Sequence, residues 1–188
     1  MKKTALPRTL SALTLATVAL GALSACAPEP APAPTPSGPP PIVPSTPGQC
    51  SIPTDIGAFR ADLLAGINAE RAKKDLPALT VSPDLQQIAQ QQSCDDAVQG
   101  IYSHTGLDGS SYEDRFKRIG YSTKYAEENT GQGAPAEGND TVKTIVGFWM
   151  LSTYHRKNML NKHVTELGIG RAHGGNGNDF WVVDFGKP

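Results

Sequence analysis

The sequence predicts an α+β fold for residues 50–188, a three-layer α-β-α sandwich behind a signal peptide and a disordered, Pro-rich linker. Three observations lead there. Apolar residues recur at helical spacing early (residues 55–74) and again late (139–151), so helices stand near both ends of the folded part. Two strand-like runs around the Gly/Asn-rich loop 174–179 close the chain and read as a hairpin. The second run, Phe180-Trp181-Val182-Val183-Asp184-Phe185, is almost all apolar, as suits a strand covered on both faces.

Residues 1–25 begin with Lys2, Lys3 and Arg8, then run apolar over 10–23, broken only by small hydroxyl residues and Gly. That is the anatomy of a secretory signal, too short for a spanning helix. It ends Leu23-Ser24-Ala25-Cys26, which resembles a bacterial lipobox and implies lipidation of Cys26; cleavage nearby without a lipid is the alternative. Residues 26–49 form the linker. Ten of residues 27–47 are Pro, among Ala, Ser, Thr and Gly. Such a stretch cannot bury a core and reads as disordered to polyproline II. At roughly 3.1 Å per residue it can tether a domain up to about 65 Å from a membrane.

The folded part, 50–188, begins at Cys50. In 55–74, Ile56, Phe59, Leu63 and Ile67 share one helix face with Leu64 beside them, and Asn68 and Arg71 lie one turn apart near its end. Ser82-Pro83-Asp84 starts a second helix with a capping hydroxyl, a proline at the first helical position and an acid in the first turn. Leu85, Ile88 and Ala89 form its buried face. Next comes a loop of Ser, Thr, Gly and Asp that carries His104. Ser110-Ser111-Tyr112-Glu113 has capping-box spacing and opens a short helix, with Tyr112, Phe116 and Ile119 inward and Gly120 at its end. Residues 121–131 read as extended and carry Glu127 and Glu128; 132–139 read as a Gly/Pro/Ala loop. Asn139-Asp140 begins a helix with Val142, Ile145, Val146 and Trp149 inward. It gives way to a polar turn bearing His155 and then to a glycine-spaced strand.

Three cysteines make an odd count. With Cys26 assigned to the anchor, Cys50 and Cys94 remain, a pair in an oxidising compartment. Cys94 lies about half a helical turn away from Leu85, off the main core face, where an incoming N-terminal segment can cover it. This supports a Cys50–Cys94 disulfide, with two free buried thiols as the alternative. Closing such a loop contributes about 4 kcal/mol by chain entropy.

Composition excludes some functions. The formal net charge is −1, and removal of the signal leaves 14 basic against 18 acidic residues. No basic stripe appears, so nucleic acid is not an expected partner. There is no Gly-x-Ser-x-Gly elbow, no His-Glu-x-x-His and no phosphate-cradling Gly-x-x-x-x-Gly-Lys.

Five segments, in order, resemble the CAP superfamily (cysteine-rich secretory, antigen 5 and pathogenesis-related 1 proteins; the SCP domain) in its short bacterial form. They are Asn68-Ala69-Glu70-Arg71, Ser103-His104-Thr105, Glu127-Glu128-Asn129-Thr130, the run Trp149-Met150-Leu151-Ser152-Thr153-Tyr154-His155-Arg156-Lys157-Asn158-Met159-Leu160-Asn161, and Thr165-Glu166-Leu167-Gly168-Ile169-Gly170. The resemblance implies the same three-layer sandwich. It also implies structural roles for Asn68, Arg71, Trp149 and Glu166, with Glu166 bonding backbone donors near His155. The family's His-Glu-Glu-His tetrad carries over to His104, Glu128 and His155. This sequence departs at three places. Ser152 stands where the second acid is usual, Glu127 replaces the glycine before Glu128, and Thr153-Tyr154 replaces Pro-Gly before His155.

Two imidazoles and a carboxylate can bind a divalent metal, Zn or Ca, and leave a position for water; equally, they can form a hydrogen-bonded polar cluster. His104, Glu128 and His155 are therefore the candidate catalytic and metal-ligating residues, and His104, Glu127, Glu128, Asn129, Ser152 and His155 the candidate cleft lining. Glu127 joins them only if its strand is irregular, since strand neighbours face opposite ways. His163 and His173 are expected to face solvent. Three readings follow. The first is an extracytoplasmic, membrane-anchored, monomeric binding module for a lipid, cell-wall or envelope-protein ligand. The second is a metal-dependent hydrolase of peptide or cell-wall material using His104, Glu128 and His155. The third is a structural envelope protein.

Overall fold

The structure, a computed structural model, describes residues 50–135 and 139–188. The segments expected to be the signal peptide (1–25) and the linker (26–49), with the expected lipidation site Cys26, lie outside the described residues. The elements run α1 (Ile56–Ala72), β1 (Thr80–Val81), α2 (Pro83–Gln99), α3 (Tyr112–Arg118), β2 (Glu127–Gly133), α4 (Asn139–Leu151), α5 (Thr153–Met159), β3 (Glu166–His173) and β4 (Asp179–Gly186). The four strands form one sheet in the order β1-β3-β4-β2. β1 runs parallel to β3, and the other neighbours are antiparallel.

Alternation along the strands sorts the core into two faces. Leu167 and Ile169 of β3, with Trp181, Val183 and Phe185 of β4, pack against Phe59, Leu63 and Ile67 of α1, Val142, Ile145, Val146 and Trp149 of α4, and Met159 of α5. The other face belongs to α2 and α3. There Leu85 and Ile88 meet Phe116 and Tyr121, and Cys94 and Ala97 meet Ala172 and Phe180. Helices thus cover both faces of the sheet.

Helix α2 has few large apolar residues, and it compensates by lying close. Gly168 and Gly170 of β3 face it. A Cβ at Gly168 would sit 2.1 Å from the Leu85 and Gln86 backbone, and one at Gly170 would sit 2.2 Å from the Ala89 carbonyl oxygen. Only glycine permits this contact. β1 covers only the start of the β3 edge, and side chains finish the task. Gln90 donates to the Arg171 carbonyl (2.8 Å) and accepts from its N–H (3.3 Å). Arg60 donates to the Ile169 carbonyl (2.9 Å). Ser51 then bridges to His173, and the Cys50–Cys94 disulfide ties this N-terminal segment to α2.

Several local expectations change. β1 has no counterpart in the sequence pattern; at two residues it is too short to show a period. The segment before β2 is irregular, and β2 runs on to Gly133 because Gly131 and Gly133 lie under the Trp181 ring. The capping box of α3 is Ser111 with Asp114 rather than Ser110 with Glu113. Ser110 is instead held by Asp108. His155 stands on a helix, not a turn, because Ser152 caps a fresh start: its hydroxyl accepts from the His155 N–H.

Gly168→Ala is expected to destabilise by about 3 kcal/mol or more, the upper end of overpacking. Gly147→Ala, on the exposed side of α4 with nothing near its Cβ, is expected to stabilise by about 1 kcal/mol. Urea unfolding of both variants measures this. Equal stability of Gly168→Ala and the parent protein would refute the close-contact account.

Candidate functional site

The site is built from the α2 end outward. Gly100 ends α2 in the left-handed region (φ 73°), and the chain turns into the His104 loop. Two buried acids on α2 hold that loop. Asp96 accepts from the Ser103 N–H (3.1 Å), the Gln92 amide (2.8 Å) and the Thr130 hydroxyl (3.0 Å). Asp95 accepts from the Leu107 N–H (3.1 Å). Burial pushes the Asp96 carboxyl up to about 7. So anchored, His104 reaches β2, where its Nδ1 donates to Oε1 of Glu128 at 2.8 Å.

Glu128 is buried, and so is its second partner. Arg115 of α3 donates from Nη2 to Glu128 Oε2 (2.5 Å) and from Nη1 to the Ser110 carbonyl (3.1 Å). Both carboxylate oxygens are therefore engaged, one by a buried guanidinium and one by a half-exposed imidazole. The bond to Glu128 raises the His104 pKa above its ordinary 6.5. Asp184 lies opposite Glu128 in the strand pairing. It is fully buried and faces the Glu128 carboxylate. Burial, then the Glu128 charge, pushes its pKa well up, so Asp184 is held protonated.

His155 approaches from α5. Its ring lies 6.1 Å from that of Trp149, and its carbonyl accepts from the Asn129 amide (3.1 Å). Burial, then the charge of His104, lowers its pKa. His104 and His155 thus share one electrostatic environment, and His104 takes the first proton. Asn158 ties α5 to β2 through the Glu128 carbonyl (3.1 Å) and the Asn129 side chain (2.9 Å).

The remaining candidates have other partners. Glu127 faces the opposite way, as strand alternation requires, and accepts from Asn161 (2.9 Å). Ser152 is a helix cap. Among the described residues no group of three His, Cys, Asp or Glu side chains is placed to hold a metal ion. With Glu128 engaged twice, Glu127 turned away and Ser152 capping, the residues present offer two imidazoles and no third ligand, so a three-ligand Zn or Ca site does not fit them. Asn68 pairs with both backbone groups of Leu79. Arg71 is buried and donates to the carbonyls of Pro77, Met159 and Asn161, each at 2.9 Å, gathering the end of α5. Trp149 is buried in the core. Glu166 accepts from the Tyr121 hydroxyl (2.8 Å) rather than from backbone near His155. His173 is not simply solvent-facing; it pairs with buried Asp179, which also holds Arg171. His163 is exposed and stacks on Tyr125.

Arg115, Asp96 and Asp184 escape a reading of the sequence. Asp184 has a visible signal, a lone acid in an apolar strand. Arg115 has none, since an arginine on a short amphipathic helix ordinarily faces water.

In an NMR titration, His104 is expected to titrate above 6.5 and His155 below it, and His104→Gln should raise the His155 pKa. The stability His104 gains from Glu128 is complete below pH 6.5 and fades as pH rises through the folded-state value. Titration of both rings at 6.5 would sink this picture. Asp184 works the same way: its raised pKa means stability falls as pH climbs from the ordinary carboxylate range. Asp184→Asn is expected to add about 1–3 kcal/mol at pH 7 by removing that cost, read as a flatter pH profile of urea unfolding; a loss of stability would contradict it.

A family model for the cysteine-rich secretory protein family (CAP) matches residues 64–185. Protein YkwD of Bacillus subtilis (strain 168) is 32% identical over 135 residues, covering 72% of this chain and 49% of its own, so the chain spans about half the length of that relative. An outer surface protein of Borrelia burgdorferi superposes with a TM-score of 0.59 at 22% identity, over 71% of this chain and 92% of that one. An extracellular, SCP-domain protein of Bacillus anthracis str. Ames gives 0.58 at 26% identity, over 70% and 41%. The family model covers well over half of the chain, in the same segments that build the sandwich and the His104–Glu128 joint; the chain belongs to the cysteine-rich secretory protein (CAP) family.

Proposed function

We propose that this protein is an extracytoplasmic binding module, held at a membrane by lipidated Cys26, that engages an amphiphilic lipid or envelope ligand at its histidine face. The observation that carries this reading is the state of Glu128. A general base or metal ligand needs a lone pair open to the reacting molecule, and the Glu128 side chain is fully covered, with its oxygens turned to His104 and Arg115. The carboxylate acts as a joint between β2, α3 and the His104 loop. The ligand class is inferred from the neighbours of the two histidines along the chain. Exposed apolar side chains flank both histidines in the chain: Ile101, Tyr102 and Leu107 around His104, and Leu151 and Tyr154 around His155. Polar imidazoles between exposed apolar groups suit a molecule with a polar head and an apolar body. The extracellular Bacillus anthracis relative supports the location.

A metal-dependent hydrolase is the second reading. One observation favours it: Glu128 fixes His104 through Nδ1, as outer-shell carboxylates do for metal-bound imidazoles.

The test uses chelator-stripped, unlipidated full chain (Cys26→Ser). A fluorescent fatty-acid probe is expected to bind saturably. Tyr102→Ser/Leu107→Ser/Tyr154→Ser should weaken it by about tenfold, the scale of one to two buried apolar groups. Calorimetric titration with Zn²⁺ and Ca²⁺ is expected to show no tight one-to-one binding. Tight binding lost in His104→Ala/His155→Ala, together with hydrolysis of a peptide or cell-wall substrate, would replace this reading with the second.

A further inference from the structure

A separate cleft of about 570 Å³ opens on the side of β2 that Glu127 faces, between the end of α5 and the irregular segment before β2. Its lining is chemically one-sided. Arg156, Lys157, Lys162 and His163 stand around it, and among the described residues Glu127 is its only acid. This gathers basic residues in a chain whose overall charge is slightly negative. One wall is aromatic: the Tyr125 and His163 rings stack with centroids 4.7 Å apart and planes within 5°. Lys157, Lys162 and His163 are exposed.

The floor carries a second signal. Glu127 Oε1 is held by Asn161, but Oε2 is covered and has no hydrogen-bond partner. A buried acceptor without a donor is unfavourable, and a turn of the Glu127 side chain toward the cleft would let a ligand hydroxyl relieve it. Burial raises the Glu127 pKa, and the Asn161 hydrogen bond and nearby Lys157 and His163 oppose that rise.

We propose that this cleft binds an anionic saccharide, a sugar ring carrying a carboxylate or a phosphate. Lys157 and Lys162 take the anionic group. The Tyr125–His163 wall takes the apolar face of the ring. Glu127 and Asn161 take hydroxyls, the carboxylate accepting and the amide oriented by it. A bare anion would use only the cations, and an uncharged sugar only the wall and floor. All three together fit a charged sugar. The site is independent of the His104 face, since Glu127 and Glu128 point to opposite sides of β2.

The test is calorimetric titration of the full chain bearing Cys26→Ser. The probes are tetragalacturonate and glucose 6-phosphate, with chitotetraose, inorganic phosphate and phosphatidylglycerol vesicles as comparisons. At least one charged sugar is expected to bind saturably and to weaken with added salt; which of the two binds tells carboxylate from phosphate. Lys157→Glu/Lys162→Glu should raise its Kd by about tenfold or more, and Tyr125→Ala by about fivefold. Circular dichroism of the lysine variant should match the parent, because both lysines are exposed. The proposal fails if neither charged sugar binds, or if phosphate, vesicles or chitotetraose bind as tightly as the charged sugars. It fails equally if the lysine variant, still folded, binds them unchanged. Loss of fatty-acid binding at the His104 face leaves this experiment untouched, so the two readings fail separately.

Discussion

With no Cβ at Gly168 and Gly170, the backbone of α2 comes within contact distance of β3, and most of the candidate site depends on that closeness. A helix this near the sheet brings its own polar residues under the loop that follows it. Gln90 can then substitute for a missing strand at the β3 edge. Asp95 and Asp96, near the end of α2, become buried anchors for the His104 loop. Raising α2 by the thickness of one methyl group would lift those anchors and loosen the loop. The glycine-spaced strand and the histidine loop are distant in sequence, yet one contact sets both.

Beneath the histidine face the protein buries more charge than a core this size usually holds. Arg115, Glu128, Asp96 and Asp184 are all under 6% exposed. Isolated burial of any one would be costly, and the cluster manages it by different means. Arg115 and Glu128 neutralise each other directly. Asp96 distributes its charge over three donors. Asp184 faces another carboxylate, that of Glu128, and gives up its charge, keeping its proton. Removing either member of the Arg115–Glu128 pair would strand the other in the interior. Such a pair is suited to fixing where His104 stands, and poorly suited to cycling a proton during catalysis.

Much of this is legible in the chain. The helix start at Ser82, the closing hairpin of β3 and β4, the cysteine pair and the facing of Phe59, Leu63 and Ile67 follow from local rules of period, turns and capping, and the structure agrees on these. The three segments carrying His104, Glu128 and His155 stand out by resemblance, not by period. What stays hidden depends on long-range partners. The two-residue β1 exists only because β3 is there to receive it. Arg115 is buried only because Glu128 waits on another strand. The continuation of β2 through Gly131 and Gly133 depends on Trp181, some fifty residues later. Sequence reading sees propensity, and these features are decided against propensity by tertiary contact.

Ser152 shows how a single position can change what a site does. A carboxylate there would add a fourth polar group beside the histidines. Serine instead ends α4 and caps α5, with its hydroxyl on the His155 N–H, and glutamate is a poor cap by comparison. The result is a short, separately started helix pinned by Asn158 to the Glu128 carbonyl and by Asn129 to the His155 carbonyl, with Arg71 gathering its C-terminal carbonyls. Consecutive residues of that helix then serve opposite sides of β2. His155 belongs with His104, while Arg156 and Lys157 border the basic cleft. Serine at this position offers no carboxylate to a metal and, at the same place, caps the helix that presents the two faces.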